Sequence, residues 1–198
     1  MKSLKSLLTI ALIFGLFNVN KSNAQAFKMN QNSISVGYGF GTIIGSVLND
    51  IADQTNYHVS YTGPLYFKFE NAVSEKVGFG INFAYAQYVA SYNYYSGIDY
   101  TETDTYTTYS ILGRINFHFG SSEKFDPYFG FGVGYRNGEF KYSTTDPNGP
   151  RDSNYSFPFP FGFETTIGSR LYFSENIGMY VEFGAAKSVL QLGLTAKF

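Results

Sequence analysis

From Ile34 onward the chain alternates between two rows of side chains. In Val77 to Val89 one row reads Val77, Phe79, Ile81, Phe83, Tyr85 and Val89, broken only by Gln87. The other reads Gly78, Gly80, Asn82, Ala84, Ala86 and Tyr88. Residues two apart in a strand share a face, so this segment predicts a strand with one apolar face and one small or polar face. The same pattern recurs over Ile34–Phe40, Leu65–Phe69, Tyr109–Phe119, Pro127–Arg136, Phe157–Leu171, Ile177–Gly184 and Leu190–Phe198. Eight strands are expected. Short turns fall near Ser74–Lys76, Gly120–Asp126 and Ser174–Asn176, and the last link, Ala186 to Ser188, is also short. Long polar links are expected over Gly41–Tyr57, Tyr92–Tyr106 and Asn137–Tyr155. Within the first of these, Ile44, Val47, Leu48 and Ile51 have the spacing of a helix face and predict a short amphipathic turn over one end.

Antiparallel strands joined alternately by short turns and long loops point to an all-β, eight-stranded antiparallel transmembrane β-barrel, with turns in the periplasm and loops outside. Both termini then lie on the periplasmic side. Alternation alone also fits a soluble barrel with the aromatic row inside. The second row separates the two. A water-facing row should carry many Lys, Glu and Thr, whereas this one is mostly Gly, Ala and Asn with isolated charges. Glycine weakens a strand unless something needs the space, and a narrow lumen holding a few long side chains supplies that need. The apolar row is therefore read as facing lipid.

The first 24 residues are expected to stand outside this fold. Lys2 and Lys5 precede an apolar run from Leu7 to Phe17, and Ser22-Asn23-Ala24 offers small residues for cleavage, with Ala26 as a second cleavage position. That run is shorter than the roughly 20 residues of a membrane span. The division expected is a signal peptide over 1–24 and a barrel domain over 25–198. Losing Lys2, Lys5 and Lys21, and no acid, makes the formal charge of −1 more negative. No basic run marks a nucleic-acid partner. Cysteine is absent, which excludes disulfides, thiol catalysis and Cys-rich zinc sites.

The run Pro127-Tyr128-Phe129-Gly130-Phe131-Gly132-Val133-Gly134-Tyr135 resembles the fifth strand of the small outer-membrane barrels common in Bacteroidetes, labelled porin-family or outer-membrane β-barrel domain proteins. Gly168 to Phe173, Asn176-Ile177-Gly178, Glu182 and the closing Gly193 to Phe198 resemble the same family, and the likeness covers the mature chain. The architecture is similar to OmpX, OmpW and the barrel of OmpA. A chain ending at Phe198 is expected to lack the peptidoglycan-binding domain of OmpA-type proteins. The resemblance implies a multi-pass protein of a Gram-negative outer membrane. It also implies a terminal aromatic, with apolar residues at every second position before it, read by the outer-membrane assembly machinery. Leu190, Leu192, Leu194, Ala196 and Phe198 match that signal.

The inward row places Lys68, Glu70, Arg114, Arg136, Glu164, Arg170, Glu182 and Lys197 in the lumen. Hairpin geometry sets Arg170 opposite Tyr180 with Glu182 a diagonal step away, and Arg114 beside Gly132. Unpaired charge in so narrow a space is costly, and eight strands leave an interior that side chains can fill. A salt-bridged plug is expected, with a charge-lined pore as the alternative. Pro158 and Pro160 cannot donate to a ladder and mark either a fraying strand end or a lateral seam for apolar solutes, as proposed for OmpW-like barrels. His118 is expected to be lumenal and structural. His58 lies near Ser60 without fixed neighbours, so no enzyme and no cofactor are expected. The loops carry many tyrosines with Asp99, Glu102, Asp104, Asp146 and Asp152 but no calcium-motif spacing. They suit contact with a protein or cell surface. The expected role is a non-enzymatic envelope protein, with a narrow porin or lateral route as the alternative.

Overall fold

The computed structural model describes residues 26–42, 58–95, 99–120, 122–156 and 160–198. The expected helical face over Ile44 to Ile51 and the signal peptide lie outside them. The strands are β1 (Asn32–Phe40), β2 (His58–Ala72), β3 (Val77–Tyr95), β4 (Asp99–His118), β5 (Phe125–Thr144), β6 (Ser153–Ser156), β7 (Phe161–Tyr172), β8 (Ile177–Ala185) and β9 (Leu190–Lys197). Neighbours pair antiparallel in the order β4-β3-β2-β1-β9-β8-β7-β5, and β4 pairs with β5, so eight strands close on themselves. At the level where all eight strands pair, closure removes the free sheet edges that would otherwise invite aggregation. β6 continues the line of β7 along the far part of β5, pairing Glu139↔Ser156 and Tyr142↔Ser153.

Tight turns gather at one end, and serine closes them. Ser74 Oγ accepts from the amides of Lys76 and Val77 at 3.2 and 3.0 Å, and Ser174 Oγ accepts from Ile177 at 2.9 Å. Such side-chain bonds stand in for backbone pairs where the chain reverses. These turns form the turn end of the barrel, and the opposite end is its mouth.

The rows separate as the alternation requires. Phe79, Ile81, Ile167 and Leu194 point outward, each more than half exposed at 52%, 54%, 57% and 56%. Phe119, Phe173 and Phe198 ring the outer surface near the turn end, and Tyr38, Tyr85 and Tyr109 face outward nearer the mouth. The inward small residues make room for large ones across the lumen. A Cβ on Gly130 would collide with the Arg114 guanidinium and lie 2.7 Å from Asn116 Oδ1, and one on Gly132 would lie 2.8 Å from Glu164 Cγ.

Two long links differ from expectation. The β3–β4 hairpin pairs without a break to Tyr95↔Asp99, and β5 runs to Thr144, so much of Tyr92–Tyr106 and Asn137–Tyr155 is strand. Their polarity suggested loops. Yet Thr, Tyr and Ser favour strands, and a strand wetted on both faces needs no apolar row. Pairs such as Thr101 Oγ1 to Asn93 Oδ1 at 2.8 Å hold the hairpin. β2 also starts at His58, well before Leu65, across an irregularity at Gly63 and Pro64. The expected sixth strand, Phe157–Leu171, is β7 from Phe161, with 157–159 outside the described residues, and β6 (Ser153–Ser156) forms ahead of it, mostly within the expected third link.

The wall is therefore uneven. β1, β8 and β9 have 9, 9 and 8 residues, whereas β3, β4 and β5 have 19, 20 and 20.

Candidate functional site

The lumen holds two stacked layers of charge. In the middle layer, Arg114 from β4 is the hub. Its Nη1 lies 2.9 Å from Glu164 Oε1 on β7, and its Nη2 lies 2.9 Å from Glu182 Oε1 on β8. It also donates from Nε to Asn116 Oδ1 at 2.7 Å and from Nη2 to Thr166 Oγ1 at 2.8 Å. Lys68 from β2 reaches Glu182 Oε2 at 2.7 Å and donates to Gln191 Oε1 at 2.7 Å. Tyr128 donates to Glu182 Oε1 at 2.7 Å, and Asn82 donates to Glu164 Oε2 at 2.7 Å. Buried charges are sustained when each is paired and further hydrogen-bonded. Both carboxylates meet that condition.

The second layer lies toward the turn end. Arg170 pairs with Glu70, and its Nη1 is 3.6 Å from Asp126 Oδ2. His118 Nε2 is 2.8 Å from Glu70 Oε1, and its Nδ1 is 2.7 Å from Asp126 Oδ1. Carboxylates only accept and a neutral imidazole carries one N–H, so these two contacts suit an imidazolium that donates from both nitrogens. The Tyr128 ring separates the layers, with the Arg170 guanidinium 4.9 Å from its centroid. Phe27 stacks on His118 with ring centroids 3.5 Å apart. Ala26 donates to Ser122 O at 2.7 Å, and Lys197 Nζ donates to Ala26 O at 3.1 Å. The segment entering β1 thus covers the turn end.

Of the eight charges expected in the lumen, Lys68, Arg114, Glu164 and Glu182 meet in the middle layer, and Glu70 and Arg170 meet in the other. Lys197 stands apart at the turn end, 4.2 Å over the Tyr172 ring. Arg136 stands apart at the mouth, where its Nη2 donates to Phe163 O at 3.4 Å. The registers Arg170↔Tyr180 and Arg114↔Gly132 are those expected, but Arg170 pairs across the lumen with Glu70 and along the wall with Asp126, its register partner on β5, not with Glu182. In so narrow a barrel the far wall is as near as the next strand, and Glu182 is already held by Lys68 and Arg114.

Sequence reasoning missed Asp126, Tyr128, Asn82, Gln191 and Thr166 as members of these layers. Asp126 was assigned to a turn because the strand was started at Pro127, although it continues the inward row of Tyr128 and Gly130. The others were visible as inward positions, but nothing local marks an uncharged residue as a partner.

Between the layers, the space lined by Lys68, Glu70, Arg114, Tyr128, Arg170 and Glu182 has a volume of about 10 Å³, at the lower limit for one water. A larger cavity of about 390 Å³ opens at the mouth above β8 and β9. Pro158 lies outside the described residues. Pro160 is exposed, and its carbonyl accepts from the Arg136 amide at 3.2 Å, so the β5 ladder continues at that level. His58 is exposed at the start of β2.

No family model and no curated protein matches the chain. Solved structures do. Ail, the attachment invasion locus protein of Yersinia pestis, in complex with the heparin analogue sucrose octasulfate, is 15% identical. The match covers 86% of this chain and 99% of that one, with a TM-score of 0.51. A second structure of Ail is 14% identical over 86% and 99%, with a TM-score of 0.48. The N-terminal β-barrel domain of Pseudomonas aeruginosa OprF is 13% identical over 86% and 98%, with a TM-score of 0.39. The first likeness fixes the fold as that of a small outer-membrane barrel.

Proposed function

We propose, from the fold of an eight-stranded outer-membrane barrel, that this chain is an integral protein of a Gram-negative outer membrane. Its filled barrel anchors a tall extracellular sheet used for surface contact. The observation that carries the reading is the paired lumen: seven charged side chains and His118 close on one another around about 10 Å³ of space. Such a core suits a support, not a conduit.

The outward row supports a lipid-facing belt, bounded by Phe119, Phe173 and Phe198 at one edge and by Tyr38, Tyr85 and Tyr109 toward the other. Aromatic girdles of this kind sit at the two membrane interfaces. A tilted strand crosses a bilayer in about 9–11 residues, close to the length of β8 and β9. The 20 residues of β4 then carry the β2–β6 sheet well beyond the membrane on the mouth side. Leu190, Leu192, Leu194, Ala196 and Phe198 lie on the outward face, and Phe198 exchanges two backbone bonds of 2.9 Å with Asn32. This suits both lipid contact and reading by the assembly machinery. Cleavage after Ala24 would retain Ala26 and its bonds to Ser122 and Lys197, which favours that site over cleavage after Ala26.

The contact role is tested at the hairpin. Ala90 and Asp104 are paired, so residues 91–103 can be replaced by an Asn-Gly turn that joins paired strands. The shortened protein is expected to fold, judged by heat-dependent gel mobility, and to lower adherence of expressing cells to matrix or host cells several-fold. Folding with undiminished adherence would remove the contact role.

A further inference from the structure

The mouth cavity lies above both charge layers and takes part in neither. It is formed where the low β8–β9 turn faces the taller strands, and the 186–188 link contributes Lys187 to its wall. Lys187 Nζ donates to Thr108 Oγ1 at 2.9 Å. Arg136, close enough for its charge to act on Lys187, donates to Phe163 O at 3.4 Å, and its Nε is buried without a partner. Among the described residues, neither cation meets a carboxylate, and the cavity wall contains no acid. Tyr88 and Tyr106 also line the cavity, their rings 6.2 Å apart.

Two neighbouring cations served only by neutral acceptors form an incomplete arrangement. Charge-assisted bonds to an anion are roughly twice as strong as neutral ones, and a buried guanidinium N–H without an acceptor is costly. We propose that this cavity binds a small organic anion, its oxyanion group held between Lys187 and Arg136 and its planar apolar body set against Tyr88 and Tyr106. A cavity of about 390 Å³ matches a ligand of one or two rings. The site needs no passage through the barrel and is independent of whether the lumen conducts.

Lys187 gives the site a pH signature. Burial, and then the charge of Arg136, push its ammonium down to about 7. The groups facing it are Arg136 from β5, the phenols of Tyr88 and Tyr106 from β3 and β4, and the hydroxyl of Thr108. An anion favours the charged form, so binding takes up a proton, and affinity rises as pH falls through about 7.

Benzenesulfonate is a suitable probe because its charge stays fixed over this range. It is titrated into the folded mature protein in lipid nanodiscs and followed by amide shifts. Saturable shifts are expected at Gly41, Gly184 and Ser188, with sulfate alone and benzyl alcohol alone each binding at least about tenfold more weakly. Lys187→Met is expected to weaken binding by about tenfold or more. Lys187→Arg is expected to bind normally and to lose the pH dependence, since guanidinium stays charged, which separates loss of charge from misfolding. Adding phosphatidylglycerol to the nanodisc is expected to leave the affinity unchanged; competition would assign the site to a lipid headgroup instead. Absence of saturable shifts at the mouth, or equal affinity in Lys187→Met, would overturn the proposal.

Discussion

Replacing Arg114 with Met is expected to destabilise the folded barrel by about 3–5 kcal/mol, the range for removing one partner from a buried ion network. The reason lies in what remains. Glu164 and Glu182 would stay buried, at 1% exposure each. Glu182 would keep Lys68, whereas Glu164 would keep only Asn82. Native stabilities of about 5–15 kcal/mol leave little margin for such a loss. Equilibrium urea unfolding in phospholipid vesicles measures it. Adding Glu164→Gln to Arg114→Met should recover a substantial part, because the amide removes the stranded charge. If instead Arg114→Met alone proved neutral, the middle layer would not be the core of this barrel.

Ile81→Arg is expected to cost about 2–4 kcal/mol, the measured range for Arg near the midplane on the lipid face of such barrels. Ile81 points outward at 54% exposure, between Phe69 on β2 and Gly113 on β4, about half-way along the low part of the wall. In a soluble barrel the same substitution would place a charge in water and change stability by no more than about 0.5 kcal/mol. Tyr155→Arg is the internal comparison. Tyr155 is 66% exposed on β6, in the part of the sheet assigned beyond the membrane, so its change should stay within that smaller range. The same unfolding assay reads both. Equal and small effects at Ile81 and Tyr155 would contradict a lipid belt.

These two sites also show what the sequence carried and what it did not. Ile81 was legible because period two is a local property: Val77, Phe79, Ile81 and Phe83 declare a face without reference to any other strand. The glycine row facing it was legible too, once Gly130 and Gly132 were read as space for something large. The identity of that something was only half legible. Arg114 beside Gly132 follows from hairpin register, but its partners Glu164 and Glu182 lie on β7 and β8, and no rule of neighbouring strands brings three walls to one point. Asp126 falls outside the expected strand because its boundary, Pro127, lies two residues after the start of β5 at Phe125. His118 was visible as an inward residue, yet its two carboxylates come from β2 and β5 and could not be assigned. The projecting hairpin was misread for a different reason. Thr101, Thr103, Thr105 and Thr107 alternate as a strand should, but with no apolar row beside them their polarity looked like a loop. Lys187 and Arg136, 51 residues apart, give no local sign that they share a cavity.

On the proposed reading, the lumen is filled by its own ion pairs and the barrel anchors the protein without conducting. Single-channel recording in a planar bilayer tests it most directly, using the folded, signal-free protein after heat-dependent gel mobility has established folding. A silent membrane is expected for the wild type. Discrete conductance steps that change with Arg114→Met or Glu182→Gln would contradict it, because they would place an open, charge-lined path where the two layers are described as closed.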